Sequence, residues 1–348
     1  MRLRGTGRLR RAINRFFRRV RPQAVILLYH RVVEVPADPQ LLCVKPVHFA
    51  AHLAHVRQNY RPVSLTALNE ALQQGEVPDR AVVLTFDDGY ADNLHHAKPI
   101  LERYAVPATV FVTAGKIDNR REFWWDELER LLLLPDALPE RLELTINGRK
   151  YSWTLEGTGG PERFRPERYR YWNITLKDDP TPRHKCYREL CALLRPLTEA
   201  ARQAVLAELV SLTGADPLGR PEYRPLTTDE VRALAAGGLV TVGAHTLTHP
   251  VLAALPAEEQ QREIEESKRR LESILGQPVT SFSYPYGAKG DYTPETLAMV
   301  RQAGFVCACA NFADTVWRGS DPFQLPRFLI RDWDRDEFAE QVRAWFRE

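Results

Sequence analysis

Residues 81–89 read Ala-Val-Val-Leu-Thr-Phe-Asp-Asp-Gly: six mostly apolar or β-branched positions that run straight into two carboxylates and a glycine. Six residues are too few for an ordinary helix, and the run is too uniformly apolar for a strand with one wet face. It predicts a strand covered on both sides. Six similar runs recur: Ala24 to Tyr29 (AVILLY), Ala108 to Thr113 (ATVFVT), Leu239 to Ala244 (LVTVGA), Thr280 to Tyr284 (TSFSY), Phe305 to Ala310 (FVCACA) and Leu325 to Ile330 (LPRFLI). Amphipathic helical patterns lie between them, at 46–58, 64–74, 91–104, 227–236, 257–275 and 293–303. Thr227-Thr228-Asp229-Glu230 has the form of a capping box that opens a helix. Strand alternating with helix implies an α/β fold with a parallel sheet. Seven strands favour a barrel over a small open sheet, although periodicity by itself does not decide closure.

Residues 117–225 break the rhythm. Phe123-Trp124-Trp125 leads into a helix through Leu134, and Arg141 to Leu155 alternates around Asn147-Gly148, the strongest short hairpin signal. A basic, loop-like stretch and a helical segment from about Arg183 to Thr213 follow. We read 117–225 as an insertion that covers or extends the active face. The remaining divisions are a basic segment at 1–22, a barrel made of 23–116 and 226–334, and a C-terminal helix at 335–348.

The chain of 348 residues is 44% hydrophobic and 27% charged, which is ordinary globular composition. A net charge of +3 is too small to argue for nucleic acid. Residues 1–22 hold nine arginines and no acid, with Ile13, Phe16, Phe17 and Val20 at helical spacing. That segment reads either as a solvated tail or as a basic amphipathic helix touching an anionic membrane surface. No run approaches the ~20 apolar residues of a membrane span, so the expected location is cytoplasmic, soluble or membrane-peripheral. The five cysteines form no C-x-x-C pair and read as buried thiols.

Chemistry-bearing residues cluster at the C-terminal ends of the expected strands, where barrels and open α/β sheets place their sites. Asp87 and Asp88 repel one another unless a cation or separate roles divide them. His245 and His249 in His-Thr-Leu-Thr-His are four apart, a spacing that suits one metal ion. With Asp88 they make two imidazoles and one carboxylate, which leaves positions for water and substrate. Ser283-Tyr284-Pro285-Tyr286-Gly287 suits a rigid wall against a polar ligand, or a plain turn. His30 follows the first strand and reads by default as a packing or capping histidine. His48, His52 and His55 share a helix and read as a solvated face.

On these residues the chain resembles the polysaccharide deacetylases with a NodB-type domain, carbohydrate esterase family 4. Thr-Phe-Asp-Asp-Gly at 85–89 is similar to that family's first motif and His-Thr-Leu-Thr-His at 245–249 to its second. Tyr-Pro-Tyr-Gly at 284–287 is similar to the tail of its third. The opening Tyr29-His30-Arg31-Val32 and the long insertion resemble the exopolysaccharide N-deacetylases. The resemblance implies a distorted (β/α)7 barrel of the NodB type, with the long insertion added. It also implies hydrolysis of N-acetyl groups on an amino-sugar poly- or oligosaccharide, with acetate released. Asp88, His245 and His249 would hold a divalent metal, usually zinc, and Asp87 would be the general base. Tyr286, through its N–H, and Tyr284 would belong to the substrate and oxyanion wall. The chain departs from the family in two places. No histidine follows His249 to serve as the late general acid, and Ser283 stands where the third motif has arginine. His30 is the substitute acid this points to, and Arg327 the substitute partner that keeps Asp87 ionised. The alternative readings are a carbohydrate-binding pseudoenzyme, or a deacetylase of O-acetyl esters or small amides.

Overall fold

A computed structural model describes residues 23–155 and 164–346; the basic 1–22 segment, and with it the expected membrane contact, lies outside them. The strands are β1 (Ala24–Tyr29), β2 (Arg31–Val32), β3 (Cys43–Val44), β4 (Arg61–Pro62), β5 (Ala81–Phe86) and β6 (Ala108–Val112). After these come β7 (Arg141–Ile146), β8 (Arg149–Thr154), β9 (Val240–Ala244), β10 (Ser281–Ser283), β11 (Cys307–Cys309) and β12 (Phe328–Leu329). The main sheet has the order β11-β10-β9-β6-β5-β1-β12, with β4 added beside β5, and its pairs are parallel. Each of the seven apolar runs supplies one strand of this path. Every residue of β1, β5 and β6 is buried, as strands covered on both faces require.

The sheet curls so far that its edges meet. Cys309 of β11 bridges Leu325, just before β12, and Leu325 exchanges backbone hydrogen bonds with Ala308 and Ala310. The irregular segment ahead of β12 thus closes the curled parallel sheet into the distorted barrel of the NodB type.

The helices are α1 (Pro46–Asn59), α2 (Leu65–Gln73), α3 (Lys98–Tyr104), α4 (Trp124–Leu132), α5 (Pro182–Leu194), α6 (Glu199–Thr213), α7 (Thr228–Ala235), α8 (Ala257–Leu275), α9 (Pro294–Gln302) and α10 (Arg335–Phe346). Thr227 caps α7 through the reciprocal bonds of a capping box with Glu230. Two helical expectations need correction. The 91–104 pattern is a π-helical turn over Asn93–Ala97 followed by α3, and the 183–213 pattern is two helices rather than one. Pro196, which has no N–H and crowds the turn before it, ends α5's run, and the Thr198 side chain caps α6 by accepting from the Ala201 amide.

Strands β7 and β8 form the antiparallel hairpin around Asn147-Gly148, both of which have positive φ. With α4, α5 and α6 they surround a second apolar cluster that includes Trp124, Trp125, Leu128, Leu142 and Leu190. The barrel strands share the main cluster with the helices around them. Among the described residues no helix is long and apolar enough to cross a membrane.

Helix α1 also departs from a solvated histidine face. His52 is fully buried; it bonds Tyr29 Oη and the Trp333 carbonyl and stacks on Phe338 at 4.0 Å. His48 pairs with Asp332 at 2.7 Å. The α1 pattern could not show this because both partners come from other parts of the sequence.

Candidate active site and metal centre

The site gathers at the C-terminal mouth of the barrel, where parallel strands release their chains into loops. Asp87 and Asp88 leave β5, and His245 and His249 leave β9. His30 sits between β1 and β2, Ser283 ends β10, and Arg327 immediately precedes β12. Four non-glycine residues here hold positive φ: Asp88 at 75°, Thr246 at 62°, His249 at 59° and Tyr286 at 60°. Such backbone is unfavourable for residues with a Cβ and persists only where the surroundings over-determine it. Hydrogen bonds supply that constraint. The Thr113 amide donates to Asp88 O, and the Ala114 and Gly115 amides donate to Thr246 O and Leu247 O. From α8, Glu263 accepts from the Leu247 and Thr248 amides and from the Thr248 hydroxyl.

Asp87 is nearly buried and held by a fork. Arg327 Nη1 donates to its Oδ1 and Nη2 to its Oδ2, both at 2.7 Å. Ser283 Oγ donates to Oδ2 at 3.1 Å and accepts from Arg327 Nη2 at 2.8 Å, while Arg327 Nε donates to the Ala310 carbonyl. Burial by itself would raise the Asp87 carboxyl, but the Arg327 charge, with His245 next, brings it down to about 2. Arg327, with Ser283 beside it, is thus the countercharge of Asp87.

Asp88, His245 and His249 each offer one ligand atom, and these atoms lie within 4.8 Å of one another. Asp88 Oδ1 is 3.5 Å from His245 Nε2 and 3.4 Å from His249 Nε2. Two donors on a tetrahedral zinc ion, each about 2.1 Å from it, stand about 3.4 Å apart. His245 Nδ1 lies 2.8 Å from the Ser283 carbonyl, which can only accept, so Nδ1 carries a proton. Nε2 is the nitrogen that faces Asp88 and is left to meet a metal or a second proton. Burial lowers the His245 pKa, and Asp87 and Asp88 outweigh it and raise it. Buried acceptors facing one another call for a cation or a proton between them, and the set fits a divalent metal. Burial and the neighbouring His245 push the His249 imidazole well below its usual range, which keeps it neutral, as a ligand must be.

These groups open into a cavity of about 420 Å³ that His30, Asp87, Asp88, His245, His249 and Tyr286 line together. His30 is half-buried; burial lowers its pKa, with Asp88 and Asp87 pulling the other way. The Tyr286 ring packs edge-on against His249 at 4.7 Å, and its amide donates to no protein acceptor among the described residues. Tyr284 does not join them. Its ring is buried against Tyr292 at 4.3 Å and its hydroxyl donates to the Phe323 carbonyl, so it builds the wall behind the site.

The far wall of the cavity comes from segment 117–225, and sequence reading did not single out the residues that form it. Trp125 packs against His249 at 5.1 Å and donates its Nε1–H to Tyr90 Oη, which in turn donates to Asp126. Arg188, Cys191 and Arg195 of α5 and the neighbouring region line the same cavity. The adjacent tryptophans after Phe123 were a visible signal, but nothing local says which way they face.

Three comparisons bear on this arrangement. The family model described as polysaccharide deacetylase matches residues 74–133 and 167–308, more than half of the chain. The poly-beta-1,6-N-acetyl-D-glucosamine N-deacetylase of Escherichia coli (strain K12) is 37% identical over 97 residues, which are 27% of this chain and only 14% of that protein's length. In fold, the chain is similar to IcaB from Ammonifex degensii, with a TM-score of 0.58 at 19% identity over 94% of this chain and 98% of that one. It is also similar to the Streptococcus pyogenes deacetylase PplD in complex with acetate, with a TM-score of 0.56 at 18% identity over 92% of this chain and 98% of that one. The motif pair at 85–89 and 245–249, the curled parallel barrel that brings them together and the extent of the family match lead to one statement: this chain belongs to the polysaccharide deacetylase family.

Proposed function

We propose that the chain is a divalent-cation-dependent hydrolase that removes N-acetyl groups from an amino-sugar poly- or oligosaccharide and releases acetate. Zinc is the cation that two imidazoles and one carboxylate favour. The observation that carries this reading is the pairing of Asp87 with Arg327 beside the Asp88, His245 and His249 triad. One carboxylate is kept ionised by a guanidinium, and its neighbour is left for a metal.

The cation, when bound, would polarise the acyl oxygen and acidify water. The protein's own residues do the rest. Asp87, fixed by two forked bonds and the Ser283 hydroxyl, accepts the proton of the attacking water. Tyr286 lines the cavity and its amide has no protein acceptor among the described residues, so in this reading that N–H donates to the developing oxyanion. As the C–N bond breaks, the sugar nitrogen leaves as an amine and must gain a proton. His30 delivers it. Burial holds His30 neutral at rest, so that proton is one it receives during turnover, in a cavity it shares with Asp87.

An acetate-release screen over N-acetylated saccharides, with and without zinc, tests the reading. Release should need the metal and stop on chelation, and Asp87→Asn should lower kcat by ~10²–10⁴. Metal-independent release, or full activity in Asp87→Asn, would refute it. For His30→Ala, kcat should fall by about 10² or more with KM little changed. An unchanged kcat with a raised KM would instead place His30 in binding.

A further inference from the structure

We propose that the cavity holds a subsite for an anionic oxygen group, a phosphate or a carboxylate, carried by the acetylated sugar or its neighbour, and that Arg331 reads it. This rests on the deacetylase reading and narrows its substrate class.

The charges around the cavity are nearly all committed. Asp87 belongs to Arg327, and Asp88 to the metal triad. Arg188 pairs with Asp179 at 2.8 Å and donates to the Leu176 carbonyl. Arg195 pairs with Asp291 at 2.6 Å and lies over the Tyr286 ring. Arg331 is the exception. It is half-buried and donates to the Leu41 carbonyl, and it has no ion-pair partner among the described residues. Burial pulls its pKa down, and Asp38 opposes this only from a distance. A guanidinium removed from water without an anion is costly, and a ligand anion would relieve that cost with a bidentate contact.

Its place in the fold gives the charge a use. Arg331 also lines a second cavity, of about 600 Å³, so it stands on the wall between that cavity and the catalytic one. None of the acids of the second cavity forms an ion pair with it, although the Asp38 charge reaches it. Asp38 accepts from the Leu42 and Cys43 amides, Asp332 is taken by Lys45 and His48, and Glu34 is exposed at the rim. Across the second cavity Arg170 has no ion-pair partner among the described residues either; it stacks on Tyr171, whose ring is exposed. A saccharide reaching from the triad into the second cavity would carry its substituents past Arg331.

The test uses the zinc-loaded full chain and three probes: N-acetylglucosamine 1-phosphate, N-acetylmuramic acid and the neutral methyl glycoside of N-acetylglucosamine. Acetate release gives kcat/KM, and calorimetry gives Kd for the same probes. One anionic probe should exceed the neutral one by about tenfold or more in both measurements, and the two anions separate phosphate from carboxylate. In Arg331→Gln the ratio should fall to near one, and Arg331→Lys should keep part of it, since a lone ammonium retains the charge but not the fork. Equal handling of all three probes by the unmodified chain, or a preference that survives Arg331→Gln, would overturn the proposal. If no probe releases acetate, the screen over longer N-acetylated saccharides decides the deacetylase reading, and the binding ratio of these probes still decides the subsite.

Discussion

Arg327→Ala is expected to cost the fold ~3–5 kcal/mol, the usual penalty for breaking a buried ion pair from one side, and to lower kcat by at least about 10². The arginine is almost fully buried and spends all three guanidinium nitrogens on the Asp87 carboxylate, the Ser283 hydroxyl and the Ala310 carbonyl, with Thr85 Oγ1 also within reach of Nη1. Truncation leaves Asp87 buried and without its countercharge. A carboxylate in that position either remains ionised at high cost or takes a proton, and in the second case it cannot serve as a base. Arg327→Lys should lie between, because one ammonium cannot make two parallel bonds. Denaturant midpoints with unchanged slope, together with kcat, check this. A midpoint and kcat like those of the unmodified chain would show that the fork is not needed.

Gly115→Ala is expected to weaken metal binding by about tenfold or more and to lower kcat/KM by about 10², although residue 115 contacts no ligand. A Cβ at this position would lie 2.4 Å from the Leu247 carbonyl oxygen and 3.0 Å from its carbon. The obstacle is backbone, which cannot swing aside as a side chain would. The loop from His245 to His249 must move, yet Glu263 pins two of its amides. The added methyl therefore displaces His249 or strains the loop, at a further cost of ~1–3 kcal/mol. Chelator competition measures the affinity and acetate release the rate. Gly290→Ala is the control, since a Cβ there meets nothing within 4 Å. Metal affinity equal to that of the control would refute the expectation.

What the sequence made legible depends on range. The strands were legible because burial on both faces writes itself as unbroken apolar runs, and the hairpin because Asn147-Gly148 is a local code. The grouping of Asp88 with His245 and His249 came from motif spacing, helped by resemblance, and the structure puts their ligand atoms together. The barrel was expected from the count of strands and from resemblance, while periodicity left its closure open, since the bridge from Cys309 to Leu325 involves no regular strand on one side. The burial of His52, whose ring partner, Phe338, lies in α10, was not legible. Tyr284 and Tyr286 looked alike in Tyr-Pro-Tyr-Gly, yet only the second, with its φ of 60°, turns into the cavity. The sign of a single φ is beyond periodicity.

The contact of Trp125 with His249 bears on modularity. The residues between the barrel's halves could be taken for a removable lid, exchanged between relatives to change what the enzyme accepts. Here the same segment supplies one wall of the cavity and a ring that packs against His249 of the candidate metal site. Specificity and catalytic competence thus share a support. A chimaera carrying another chain's segment would need an aromatic ring at the position of Trp125 before its new walls could matter.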